Sequence, residues 1–264
     1  MSAPRRVDPR WVQVAAIASY AIAARTIFHI ERPNWLIFAS VGWGMALDFA
    51  IGRLKFKTFR FPLSAAIIGL ASTVMIDSKW PLVFFAATTV AILSKAFVTY
   101  RGKHFINPAN FGAVVIFQWA VGYAISTQRI YSGYLLPTLI VFIIGLATVI
   151  YARQAVLALS FIAGFIVCAL IRMELQGLYF IAALGPVLSP TLLIFTFHML
   201  SDPATTPKTV KDSVAFAFAV AVLDMIFRMR SVPFGTFYAL FLVSCLLPAY
   251  RALFSRDALP QEAA

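Results

Sequence analysis

The 264-residue chain is 61% hydrophobic and 12% charged, with a mean hydropathy of +0.87. A water-soluble domain carries about 45–50% apolar and about 25% charged residues, so this composition excludes one and calls for a membrane-integral protein. The formal charge of +12 would suggest nucleic acid in a soluble protein. Here Lys and Arg cluster between apolar segments, where they set topology and meet anionic lipid heads, and nucleic acid is not an expected partner.

The N-terminal stretch MSAPRRVDPRW is too polar and too rich in proline for a cleaved signal peptide, so the first span is expected to remain. A helix needs about 20 apolar residues to cross the hydrocarbon core. The apolar runs predict ten spans, at 11–30, 34–52, 61–77, 80–99, 106–125, 133–151, 155–172, 177–200, 212–229 and 233–253. Backbone polar groups find no water in lipid, so each span is expected to be helical unless it is buried against protein. With the N-terminus inside, fifteen of the 22 Lys and Arg residues fall at cytoplasmic ends. That bias favours both termini in the cytoplasm. The expected fold is all-α, with about ten transmembrane helices, N-in and C-in, in a multi-pass protein of a bacterial inner membrane.

Asp48 and Lys95 lie about a turn inside the cytoplasmic boundary of the second and fourth spans, where they either snorkel or serve a function. Span three, FPLSAAIIGLASTVMID, places Ser64 thirteen residues before Asp77. The next marked stretch is GKHFINPANFGAV. Pro108 lacks an N–H and pushes the preceding residue out of the α region, so the fifth helix is expected to start there with Asn107 as its N-cap. Its free N–H groups and positive dipole end suit an anion, with Lys103 and His104 as further donors. A plain capped helix start fits the same residues. In span eight, AALGPVLSPTLL, Gly185, Pro186 and Pro190 predict a helix that is interrupted or kinked; irregular backbone at that depth is buried in protein or lines a cavity.

Ser189 precedes Asp202 by thirteen residues, as Ser64 precedes Asp77, and 125 residues separate the two pairs. The echo predicts two related halves of five spans, residues 1–128 and 129–264. Five is odd, so the second half would be inverted, an arrangement that places a site between broken helices near the midplane. SDPATTPKT repeats the Asx-Pro-Ala turn of NPAN, setting Asp202, Pro203 and Ala204 beside Asn107, Pro108 and Ala109. Thr205, Thr206 and Thr209 add hydroxyls, and Lys208 and Lys211 add charge; a polar loop with turn chemistry is the alternative reading. Asp224 and Arg228 have ion-pair spacing on a helix. His29, His104 and His198 are scattered, Cys168 and Cys245 lie alone in apolar spans, and no Walker, GxGxxG, metalloprotease or serine-elbow motif occurs.

These stretches resemble the RnfD/NqrB family, ten-span subunits of bacterial ion-pumping redox complexes, and in their brevity its UnbU-type members. INPANFGAVVIF is similar to the family's FNPA signature, and LSPTLLIFTFHMLSDPATTPKT to its segment ending in a (T/S)DP-x-(T/S) turn. LSAAIIGLA and VPFGTFYALFLVSCLLPAY also fit. The resemblance implies two inverted five-helix repeats similar to urea-transporter architecture. It also implies the bilayer and other redox subunits as partners, and flavin as cofactor. Carried onto this sequence, the motif positions near the pseudo-symmetric centre are Ser64, Asn107, Pro108, Ser189, Asp202, Pro203 and Thr205, with Asn110 and Pro186 beside them. Phosphate contacts would come from helix starts and from Lys103 or Lys208. The family attaches FMN covalently to a threonine in an SGAT-like motif between spans five and six. Here the stretch reads IYSGYLLPT: Ser132 and Gly133 match, but Tyr134 and Leu135 replace the Ala-Thr pair. FMN or riboflavin is therefore expected without a covalent link. Three functions stay open: an electron-transfer subunit holding flavin or quinone non-covalently, a small-solute or ion transporter or channel on the same scaffold, or a cofactor-less structural subunit.

Overall fold

Proline decides where several helices begin, because its missing N–H is one that a helix start leaves free. In the computed structural model, which describes residues 7–26, 33–57, 61–127 and 135–254, four helices open on it. These are α1 (Pro9–Thr26), α4 (Pro81–Phe97), α5 (Pro108–Trp119) and α9 (Pro190–Ile194). The other described helices are α2 (Asn34–Leu54), α3 (Leu63–Met75), α6 (Leu135–Tyr151), α7 (Ala155–Gln176), α8 (Phe180–Leu184), α10 (Val210–Met229) and α11 (Gly235–Phe254). The expected all-α character holds. α2 and α7 are each long and apolar enough to cross a membrane, and the bent pair formed by residues 180–188 and 190–200 makes a third such segment if taken as one span. α3, α4, α6 and Gly235–Tyr250 of α11 are apolar but shorter.

Spans two, four, six, seven, nine and ten are helical near their expected limits. The fifth helix opens at Pro108, and the Asn107 side chain accepts the Asn110 N–H at 3.0 Å as its cap. Three spans depart from the expected helix. Helix α3 stops at Met75 and α5 at Trp119, where a helix to 77 and to 125 was expected. The chain instead runs extended as β1 (Ile76–Asp77) and β4 (Ile125–Ser126), paired antiparallel with Ile76 opposite Ser126. Thr127 Oγ1 donates to the Val74 carbonyl at 2.9 Å and Ser78 Oγ to the Tyr123 carbonyl at 2.6 Å. Each helix end thus supplies the partners that the other's freed backbone needs, as burial away from water requires. Span eight is broken as its prolines predict. After α8 come a 3-10 turn at Gly185–Leu188, an extended Ser189, α9 and a π-helical segment at Phe195–Leu200, with a 51° bend at the break.

A tight hairpin joins α4 to α5: β2 (Thr99–Tyr100) pairs with β3 (Lys103–His104). Both turn residues have positive φ, 50° at Arg101 and 74° at Gly102, as a two-residue primed turn demands.

Residues at several helix ends gather at one end of the bundle. Tyr151 donates to the Val7 carbonyl, Lys55 to the Ala96 carbonyl, Asn107 to Asp202, and Thr206 to Gln154. At the opposite end β1 meets β4, and Gln176 reaches the Met229 carbonyl. Several packing pairs recur along the chain. α1 packs on α3 as α6 does on α9, α2 on α4 as α7 on α10, and α4 on α5 as α10 on α11; across the halves α1 meets α6 and α5 meets α11. The core is aromatic, with Phe84, Phe161, Phe195 and Phe237 fully buried and Phe195 edge-on to Phe237. Small residues bring helices close: a Cβ on Gly112 would lie 2.5 Å from the Ala87 carbonyl oxygen, and one on Gly69 2.7 Å from that of Ser40. Such approaches are how helices associate in lipid, where no hydrophobic force drives them together.

Candidate functional site

One face of α3 is left uncovered by the helices around it. Ser64, Ile67, Ile68, Ala71 and Met75 line a cavity of about 690 Å³, within the range of pockets that enclose a small ligand. At 1.5 Å rise per residue, that face takes the cavity about 16 Å along the helix. Ile17 of α1 and Ile194 and Met199 of the broken segment complete the apolar inner wall. The mouth is polar and lies at the bundle end where the hairpin and the Asp202 turn meet. Arg10, Lys55, Lys95, His104, Asp48 and Asp202 all reach it.

Lys95 is the organised cation. Its ammonium donates to Asp48 Oδ1 at 2.9 Å and to Ser64 Oγ at 2.6 Å, joining α2, α3 and α4. Beside it the two Asx-Pro-Ala turns meet. The Asn107 amide donates to Asp202 Oδ2 at 3.2 Å, while Asp202 Oδ1 accepts the Ala204 N–H at 3.0 Å and its carbonyl accepts the Thr205 and Thr206 N–H groups. The likeness of these turns in the sequence therefore corresponds to a direct bond, although α10 starts only at Val210, capped by Thr209. Burial holds the His104 imidazole below its usual pKa of 6.5; Asp202 opposes that shift and Lys95 adds to it. Deeper in, His198 lies in the π-helical segment, with Nε2 3.0 Å from the Tyr20 hydroxyl and its carbonyl accepting from Gln13. Its Nδ1 is buried without a partner. Single turns of π-helix inside α-helices often sit at functional sites.

Of the residues singled out in the sequence, Ser64, Asn107, Pro108 and Asp202 line the cavity, together with Asp48, Lys95 and His104. Lys103, Asn110, Pro186, Ser189, Pro203, Thr205 and Lys208 do not. Asn110, in the first turn of α5, is buried and donates to the Phe237 carbonyl. Thr205 is buried in the turn, and Lys208 is exposed and donates to the Pro203 carbonyl at 2.6 Å. Lys103 is exposed on the hairpin. Pro186 and Ser189 lie at the break of span eight, away from the cavity, and the freed carbonyls there are taken: Leu188 accepts from Thr138 at 2.6 Å and Ala183 from Arg172 at 3.2 Å. Ser132, Gly133 and Tyr134 lie outside the described residues, and Leu135 opens α6. Arg10, Gln13, Lys55 and His198 were not singled out as site residues. Asp48 and Lys95 carried a signal, charge inside an apolar span, but the bond from Lys95 to Ser64 is set by packing.

The cavity's residues fit a flat heterocycle with a polar edge and an anionic tail. The apolar α3 face suits the ring, Lys95, Asn107 and His198 Nδ1, which has no partner among the described residues, offer polar contacts, and Lys55 stands at the mouth with Arg10, the latter paired with Asp8. A comparison with curated proteins finds no match. Residues 133–258 match the family described as NQR2, RnfD, RnfE. That stretch, which holds the broken eighth segment and the Asp202 turn, is what this chain shares with the NQR2, RnfD, RnfE family.

Proposed function

We propose that the protein is an integral membrane subunit of an Rnf/Nqr-type electron-transfer complex and that its cavity holds FMN, riboflavin or a quinone without a covalent link. The observation that carries this reading is the cavity, apolar along α3 and lined at its mouth by charged side chains of both signs, Lys55 and Lys95 among them. Such a ring supplies reversible electron transfer. The chain's own residues bind and orient it: Ile67, Ile68 and Met199 exclude water from its faces, Lys95 is held in place by Asp48 and Ser64 as a fixed positive charge, and Asn107 presents an amide braced by Asp202. We read the ten segments as two inverted five-element repeats, 1–128 and 129–264, because several packing pairs of one half, α1 on α3, α2 on α4 and α4 on α5, have counterparts in the other, and α1 with α6 and α5 with α11 map onto themselves.

A transporter on the same scaffold would offer the carbonyls freed at the break of span eight to a solute. Thr138 and Arg172 already occupy two of them, so the redox reading is better supported. Protein purified in mild detergent is expected to show a flavin spectrum bleached by dithionite, or to yield a quinone on extraction with mass analysis. Riboflavin phosphate titration should then separate neighbours in the turn. Asp202→Ala and Lys95→Met are expected to weaken binding by about tenfold or more, roughly 1.4 kcal/mol or above, with Thr205→Ala close to wild type. A colourless protein that extracts no quinone and binds no added flavin would sink the reading.

A further inference from the structure

The bundle end opposite the cavity holds a second group of buried charges. α7 and α10 finish there side by side, with Arg172 about a turn before the end of α7, Arg228 in the last turn of α10 and Arg230 at its C-cap. Asp224, 1% exposed, is fully engaged: Oδ2 accepts Arg228 Nε at 2.7 Å and Oδ1 accepts the Thr236 hydroxyl at 2.7 Å, while Arg228 Nη2 donates to Thr236 at 3.0 Å. That triad leaves Arg172 out. Its residue is 7% exposed, its one hydrogen bond among the described residues runs from Nη2 to the Ala183 carbonyl at 3.2 Å, and Nε has no partner. Glu174, two positions along α7, is exposed and faces elsewhere.

A guanidinium carries five N–H donors and cannot shed its charge. Buried in an apolar bundle, with one carbonyl as hydrogen-bond partner and the nearby Asp224 carboxylate already engaged by Arg228 and Thr236, it is costly unless a further anion completes it. Between α7 and α10 lies an opening of about 10 Å³, lined by Arg172, Asp224, Arg228, Phe165, Cys168 and Met225 among others. That is room for about one water-sized atom, hence for one oxygen of a larger anion whose bulk stays outside. Guanidinium forks match phosphate oxygens in geometry as well as charge. The site sits at the depth of the helix ends, and the adjoining surface is apolar and aromatic, with Leu175, Tyr179, Phe180 and Ile181 all exposed.

We propose that Arg172 and Arg228 form a phosphoryl-binding site in which one phosphate oxygen enters between α7 and α10. The flanking apolar surface favours a phospholipid headgroup as the source over free phosphate. This proposal rests on the membrane reading alone, not on the cofactor in the cavity. The test is thermal unfolding of the full chain in a neutral detergent, with added phosphatidylglycerol, phosphatidylcholine or inorganic phosphate. Phosphatidylglycerol is expected to raise the Tm of the wild type, Arg172→Gln to lose most of that rise, and Lys211→Gln, a charge removed at the other end, to keep it. If inorganic phosphate reproduces the rise and Arg172→Gln abolishes it, the site is supported with free phosphate as the source. Should Arg172→Gln fail to fold, Arg172→Lys keeps the charge without the fork and is expected to show a smaller rise. A rise that persists undiminished in the Arg172 variants, or no rise with either phosphate source in the wild type, overturns the site.

Discussion

Lys95 shows how a charge becomes stable inside an apolar chain. Its side chain is about a quarter exposed, as is that of Asp48, so the ion pair is partly screened, and Ser64 adds a neutral acceptor from a third helix. An isolated exposed pair contributes little; a pair tied to a third helix also fixes where the charge points. His104, facing Asp202, Lys95 and Asp48 across the mouth, is the group whose charge responds to mild acid. Its folded pKa lies below its ordinary value, chiefly through burial, so the unfolded chain takes up the proton more readily than the folded one. Stability present above pH 6.5 is therefore lost as the pH falls through the lower folded value. A Tm profile from about pH 8 to about pH 5 should decline on the acid side, and His104→Gln is expected to flatten that decline; an unchanged slope would mean that His104 titrates as it does in the unfolded chain.

At the level of elements, what the sequence revealed depended on how local the cause was. Pro108 and Asn107 act within one turn, and the start of α5 falls where they place it. Gly185, Pro186 and Pro190 act equally close to home, and span eight breaks there. The ends of α3 and α5 could not be read in the same way, because the strands that replace their last turns are about fifty residues apart in the chain and exist only as a pair. Periodicity cannot see that pairing. Close helix contacts belong to this scale too. Gly112→Val would drive a side chain into the Ala87 backbone carbonyl, a contact that no rotamer relieves. It is expected to cost about 1–3 kcal/mol, read as a lower Tm, whereas valine at Gly185, where a Cβ meets nothing within 4 Å, should cost much less at the packing level.

For the whole molecule, the distribution of charge and the topology agree. Among the described residues Arg10, Lys55, Lys57, Arg101, Arg153, Lys208 and Lys211 lie at or beside the cavity end, against Lys79, Arg172, Arg228 and Arg230 at the other. Single cysteines at Lys57 and at Lys79, in a background lacking Cys168 and Cys245, should therefore react with an impermeant maleimide from opposite sides of the membrane. Labelling of both from one side would refute a membrane crossing by the segment between them. Among the cavity's polar residues, Asn107 and Asp202 were visible as motifs, since they sit in turns with a chemical signature. Arg10, Lys55 and His198 were not, because their convergence is a product of how α1, α2 and the π-helical segment pack rather than of any spacing along the chain.

The floor of the cavity has an electrical consequence. The opening runs from the mouth down α3 to Met75, and the next two residues form the two-rung ladder with β4. An aqueous vestibule carries the potential of the solution it opens to, so most of the transmembrane voltage would fall across the thin plug between Met75 and the far surface. A charge crossing the membrane field changes its energy by about 2.3 kcal/mol per 100 mV. An electron or ion passed through this plug would feel nearly the full field over a few residues, while one delivered from the mouth to the same depth would feel almost none. Were charge to move through this fold with the opening water-filled, the two strands would thus mark where the membrane potential acts on it.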